Sequence, residues 1–340
     1  MKTSRLLSIL FLLSLFVFWG CEGDQGPAGP AGPAGQDGVD GDYACLACHN
    51  TDVQNAISLQ YDRSGHALGE YVGYAGGRAS CARCHSGGGF VEYAENGFVD
   101  GNIAVPVSID CEHCHSIHTT FGADDYALRL SGAVTWIFDE GYGDGTVDFG
   151  DNSNVCANCH QSRRGEPELT NPGEPEFAIT STHWGPHHGA QANVLAGEGF
   201  AEIAGSVAYP TTMPNHVNLG ASCVGCHMAE YSDGEGGHTW HASLDYCTNC
   251  HTSATDFDIN GVQTDTQAQL DQLRDLLLAQ GVIEWVAEDE AYEPVVGTYT
   301  QAQARAFFNW IGLVEDRSNG VHNPAYVNAL LTNTIEAITP

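Results

Sequence analysis

The sequence predicts a mainly α-helical chain with extensive irregular loops, little or no sheet, and longer helices towards its C-terminal end. Three observations carry this expectation. Six copies of Cys-x-x-Cys-His punctuate a glycine-rich stretch from Tyr43 to about Thr252 that reads as short helices joined by loops. From Thr264 onward, apolar residues recur at helical spacing. The 340 residues include 41 glycines and only 16% charged side chains, which suits a chain wrapped around large apolar groups.

Taken in order, residues 1–20 read as an export signal. Lys2 and Arg5 precede an apolar run from Leu6 to Trp19, too short for a comfortable transmembrane helix. Gly20-Cys21 then looks like a bacterial lipoprotein junction, with Cys21 as the lipid-modified residue; Phe18 and Trp19 depart from the usual residues before it. The competing reading is an ordinary signal peptide with a stray cysteine. Glu22 follows the cysteine, with no aspartate there to favour inner-membrane retention. An outer-membrane or cell-surface lipoprotein is therefore expected, with a periplasm-facing placement as the variant.

Residues 21–42 carry glycine at every third position, at Gly23, Gly26, Gly29, Gly32, Gly35, Gly38 and Gly41. This is collagen-type periodicity. An extended tether reaching roughly 60 Å is favoured over a trimerising stalk, since a short proline-rich linker needs no partner.

Residues 43–262 hold the six motifs. Their cysteines are Cys45 and Cys48, Cys81 and Cys84, Cys111 and Cys114, Cys156 and Cys159, Cys223 and Cys226, and Cys247 and Cys250. The histidines that follow are His49, His85, His115, His160, His227 and His251. Chance would place about 0.02 such pentapeptides in a chain of this composition. Each is the attachment signature of a haem c: two thiols form thioethers and the adjacent imidazole becomes the proximal iron ligand. Zinc sites pair Cys-x-x-Cys units but give no reason for the histidine, a thioredoxin-like motif occurs once, and a disulfide framework needs no fixed spacing. Six covalently bound haem c groups are expected, and export follows from them independently.

The formal charge is −32, from 43 acidic and 11 basic residues, and removing Lys2 and Arg5 with a leader would take it to −34. Nucleic acid is excluded as a partner on this balance, and basic or cationic partners are favoured.

Residues 263–340 form a C-terminal helical region expected to pack on the haem core. Thr264-Asp265 can cap a first helix whose apolar face is Leu270, Leu273, Leu276 and Leu277. A second spans Gln301 to Val314, with Phe307, Phe308, Trp310 and Ile311 as packing residues. A third starts after His322-Asn323-Pro324, where Asn caps and Pro fits the first turn.

Ten histidines lie outside the proximal positions. Low-spin electron-transfer haems need a second axial ligand, and methionine cannot supply six of them: beyond the leader there are only Met213 and Met228. Bis-histidine ligation is therefore expected. The distal candidates are His66 in an exposed-looking turn, His118, one or two of His183, His187 and His188, then His216, His238 and His322. Met213 is a competitor of His216. His113, inside a motif, is expected to face solvent, and His241 to support a ligand from behind.

With these residues in view, the chain resembles the multihaem cytochrome c superfamily that includes cytochrome c nitrite reductases, hydroxylamine oxidoreductases and related electron carriers. The resemblance rests on Cys223-Val-Gly-Cys226-His227-Met228 with Gly236-Gly237-His238-Thr239, on Ser181-Thr182-His183-Trp184-Gly185-Pro186-His187-His188, and on Gly320-Val321-His322-Asn323-Pro324. It covers about the second half of the chain. It implies a multihaem cytochrome c fold, distal roles for His238 and His322, and haems packed in parallel and perpendicular pairs. The Cys-x-x-Cys-Lys motif of the catalytic haem in the usual nitrite reductases is missing from this sequence.

The resulting expectation is a surface-anchored hexahaem cytochrome passing electrons across or outside the cell envelope, more an electron-transfer protein than an enzyme. Its expected partners are periplasmic or outer-membrane redox proteins and extracellular electron acceptors, with the lipid anchor in the membrane. The alternative is a multihaem oxidoreductase acting on a small nitrogen or sulfur compound at one five-coordinate haem. A homo-oligomer stacked as a filament is a third arrangement.

Overall fold

The computed structural model describes residues 50–117, 126–139, 145–229 and 234–340. The leader, Cys21, the glycine repeat, the first motif with His49, and His118 lie outside the described residues.

The chain opens with α1 (Thr51–Tyr61), capped by Asn50, whose side chain accepts the Asp52 amide. Then come α2 (Gly65–Leu68), a π turn at Val72–Gly76, α3 (Ala79–His85) and α4 (Gly87–Asn96). The third motif forms α5 (Cys111–Cys114), which opens on a capping box made by Asp110 and His113. It is followed by β1 (His115–Ser116), β2 (Ala127–Leu128), β3 (Val134–Thr135) and β4 (Thr146–Val147). Beyond lie α6 (Ser153–Ala157), α7 (Pro167–Thr170), β5 (Glu176–Ile179), α8 (Gln191–Ala196), α9 (Asn215–Asn218), α10 (Cys223–His227) and α11 (Leu244–Thr248). The C-terminal region comprises α12 (Val262–Ala279), β6 (Ile283–Val286), β7 (Ala291–Pro294), β8 (Gly297–Thr300), α13 (Gln301–Asp316) and α14 (Pro324–Ile338).

The class is mainly α with irregular loops. Sheet is confined, among the described residues, to four two-stranded antiparallel ladders: β1–β2, β3–β4, β5–β8 and β6–β7. The β5–β8 pair runs in register from Glu176 opposite Thr300 to Ile179 opposite Gly297, so it ties the haem-motif region to the entry of α13. The β6–β7 hairpin stacks Trp285 on Tyr292, an element the helical pattern of the sequence did not announce.

The three long helices build the main core. Leu273, Leu277, Phe307, Phe308, Leu330 and Leu331 are fully buried, and each such side chain contributes about 1.5–3 kcal/mol. Trp184, from the Ser181–His188 stretch, packs against Phe307 and Phe308. A second cluster of Val134, Trp136, Phe138, Val147 and Phe149 lies beside α6 and α8, and Met213 packs against it.

Three asparagines fasten the core to the haem-motif region. The Asn309 side chain accepts the Ala201 amide and donates to the Ala201 carbonyl, and Asn333 does the same at Val207. Asn323 caps α14 and donates to the Leu195 carbonyl. Buried backbone groups on an irregular segment need partners, and here side-chain amides stand in for a neighbouring strand.

Candidate functional site

All ten described motif cysteines and all five described motif histidines line one continuous cavity of about 2970 Å³. Pockets for single small molecules run to about 1,000 Å³, so this volume suits several large groups. The lining also brings His66, His187, His188, His216, His238, His241 and His322 to the same space.

Each motif sits on its own short helix or turn. Ser222 precedes α10 and its hydroxyl accepts from Ser153, while the Ser153 oxygen accepts the Val224 amide, so α6 and α10 are held together. The thiols of different motifs meet as a result. Cys84 and Cys159 lie within hydrogen-bonding reach of each other, as do Cys156 and Cys223. The fourth motif thus touches the second through one thiol and the fifth through the other. Among the described residues, the only group converging tightly enough to chelate a free metal ion is Asp110, Glu112 and His113, which contains no cysteine. That arrangement is not a zinc cluster built from paired Cys-x-x-Cys units.

The histidines meet in pairs across the cavity, each joining a motif imidazole to one from elsewhere. His66 faces His160 with ring centroids 6.2 Å apart, and His85 faces His187 at 6.0 Å. His115 faces His238 and His227 faces His322, both at 6.4 Å. Two imidazoles on opposite faces of one iron, each nitrogen about 2 Å from the metal, put their ring centroids roughly 6.3 Å apart. The donor set, the spacing and the adjoining thiols fit haem c.

Protonation fits as well. Burial pushes His66 down to about 4, and burial with the Arg163 charge pushes His187 to about 4. Burial likewise lowers His85, His160 and His227. These imidazoles are neutral at physiological pH, with a lone pair free for a metal. Three motif rings are also aimed from behind, since Nδ1–H donates to the Tyr126 carbonyl from His115 (2.6 Å), the Trp240 carbonyl from His227 (2.8 Å) and Gln191 Oε1 from His160 (3.2 Å). Such bonds fix the tautomer and leave Nε2 for the iron.

Local structure explains how the partners arrive. His66 is half-buried with its edge on Trp240, rather than in an exposed turn. His187 adopts φ 78°, a left-handed conformation costly for a histidine. His238 is seated by its amide, which donates to Gln60 Oε1, and Gly237 must be glycine there: at φ +55° its Cβ would fall 2.4 Å from that oxygen. His216, on α9, is lowered by burial and then by nearby His251.

The remaining candidates are paired with no motif histidine among the described residues. His183 is exposed and outside the cavity lining. His188 is exposed and bonds Glu315 at 2.9 Å. His241 bonds Glu235 at 2.8 Å rather than backing a motif imidazole. His113 corrects the expectation of a solvent-facing side chain: it is 4% exposed. Its ring occupies the space above Gly87, where a Cβ would come within 2.4 Å of it. Gln60, Gln191, Trp240 and Asp316 are functional neighbours without a sequence signal, because their roles depend on loops that meet only in the folded chain.

Comparison with known proteins agrees with this geometry. Residues 210–339 match the family model described as cytochrome c552. The chain is 25% identical over 358 aligned residues to the C-type polyheme cytochrome OmcB of Geobacter sulfurreducens, in strain DL-1 / KN400 and in strain ATCC 51573 / DSM 12127 / PCA. These matches support a multihaem c-type cytochrome. The alignment takes in 82% of this cytochrome and 46% of OmcB, so the chain spans about half the length of the curated relatives it matches. The crystal structure of the outer cell wall cytochrome OcwA superposes with a TM-score of 0.53 over 83% of this cytochrome and 50% of that chain, at 19% identity. That likeness is one of fold.

Proposed function

We propose that this cytochrome is a hexahaem electron carrier whose irons are closed by two histidines each. The observation that carries the reading is the set of four imidazole pairs at 6.0–6.4 Å across one cavity. In this reading His85 is completed by His187, His115 by His238, His160 by His66 and His227 by His322. His216 completes His251, its electrostatic neighbour. His49 is completed by one of the remaining histidines, with His118 the leading candidate. When bound, haem supplies reversible one-electron chemistry. The chain's own part is to aim imidazoles, exclude water and keep neighbouring attachment sites in contact, as Cys84 is with Cys159 and Cys156 with Cys223.

We further read Cys21 as a lipid-modified anchor and residues 21–42 as a tether placing the haem region outside the outer membrane. The similarity to a polyheme cytochrome and to an outer cell wall cytochrome supports a role in the envelope. Redox proteins of the periplasm or outer membrane and extracellular acceptors would then be its partners. Among the described residues, no helix is long and apolar enough to cross a membrane.

The test is a haem count combined with carbon monoxide and nitrite titration of the reduced protein. Six haems per chain and no ligand binding are expected. Binding at one haem equivalent would overturn the closed-iron carrier and favour an oxidoreductase with one open iron.

A further inference from the structure

We propose that Asp316 is a positioning residue that lowers the potential of the haem bracketed by His227 and His322; this rests on the bis-histidine reading above. Asp316 ends α13, and its side chain is 1% exposed. Its Oδ1 accepts from His322 Nδ1 at 2.6 Å. Its Oδ2 accepts from the Ser318 amide at 3.4 Å and from the Ser318 hydroxyl. The Ser318 oxygen in turn accepts the His322 amide at 3.4 Å. The carboxylate, the serine and the imidazole therefore form one closed unit, and the free edge of the ring points to His227.

Three other imidazoles of the paired set are backed differently. His115 and His227 donate to backbone carbonyls and His160 to a glutamine amide oxygen, all neutral acceptors. Carboxylates contact His113, His188 and His241 too, but none of these rings faces a motif histidine among the described residues. An anionic acceptor draws the Nδ1 proton toward itself and makes the imidazole a stronger donor to iron. The buried charge also acts through a low-dielectric path, and it favours the ferric over the ferrous state. Both effects lower the potential at this one site. By its thiols that site adjoins the fourth motif, so Asp316 places a step inside the haem series rather than at a loose end.

The experiment is a spectroelectrochemical titration of the full haem-loaded chain, with haem content measured on every variant. Asp316→Asn is expected to raise one potential step by at least a tenfold change in the reduced-to-oxidised ratio, about 59 mV for one electron. Asp316→Glu, which keeps the charge, is expected to lie nearer the wild type. Ser318→Ala removes a hydroxyl donor to the carboxylate and is expected to move the same step downward. If Asp316→Asn fails to yield six-haem protein, Ser318→Ala carries the test by its opposite sign. Potentials that all stay unmoved in a six-haem Asp316→Asn protein overturn the proposal, as does an upward or absent movement in Ser318→Ala. His322→Ala separates the two levels: if it leaves every haem silent to carbon monoxide, the ligation reading fails, whereas a new binding haem in His322→Ala together with unmoved potentials in Asp316→Asn leaves that reading standing and sinks only the role of Asp316.

Discussion

At the scale of single residues, the attachment chemistry is local and the ligand pairing is not. A pentapeptide contains everything that places Cys81, Cys84 and His85 together, so it can be read directly. No local pattern tells that His85 meets His187, because α4 to α7 lie between them and the irregular stretch carrying His187 is placed by the packing of Trp184 on Phe307. His113 shows the same limit in reverse: its position in a motif suggested solvent, while a glycine on the preceding helix provides a burial site. His238 offers the clearest residue-level test, since its partner His115 is backed by Tyr126 and stays in place without it. On the proposed pairing, His238→Ala is expected to convert one haem from low to high spin and to create one carbon monoxide site, read by optical titration. Retention of six low-spin haems would assign the His115 iron another partner.

At the scale of elements, the C-terminal helices were legible because long amphipathic periodicity is self-contained. The expected span Gln301 to Val314 ends two residues before the observed end of α13, and Pro324 opens α14 as its position after Asn323 implied. The start of α12 differs from expectation. Thr264 does not cap it; the helix begins at Val262, and Asp258 accepts the amides of Gln263 and Thr264 together with the Thr264 hydroxyl. The Thr264 hydrogen bonds hold the Asp258 carboxyl below the usual aspartate range. A lowered carboxylate stabilises the fold above its unfolded value of 3.8, and that contribution is lost as pH falls through the lower folded value. Asp258→Ala is therefore expected to melt below the wild type at neutral pH, and the two melting curves are expected to converge in acid. The asparagine clamps were invisible for a different reason: Asn309 and Asn333 each pair a helix position with loop backbone far away in sequence, and Asn323 pairs a cap position with distant α8. Asn309→Leu strips partners from the Ala201 amide and carbonyl. It is expected to cost about 1–3 kcal/mol in denaturant unfolding, with haem content unchanged.

At the scale of the whole molecule, the charge of the chain should govern how partners meet it. The formal charge of −32 arises with only 11 basic residues, and ionised haem propionates would deepen it. Several of those basic residues are already engaged: Arg305 bonds Glu166, Arg274 bonds Asp271 and Asp275, and Arg63 bonds Glu235. Opposing charge is thus largely spent within the fold, and the outward field is negative. Such a field concentrates cationic reactants and repels anionic ones over a Debye length of about 30 Å at 0.01 M salt, but only about 8 Å at 0.15 M. Oxidation of the reduced protein by a small cationic complex is therefore expected to slow about tenfold across that range of salt. The same reaction with an anionic complex of similar driving force is expected to accelerate. Stopped-flow measurement of both reactions checks this, and the pair is needed because salt alone can shift potentials. If both rates move in the same direction, the acidity serves solubility rather than encounter, and a cationic patch on the physiological partner is no longer required.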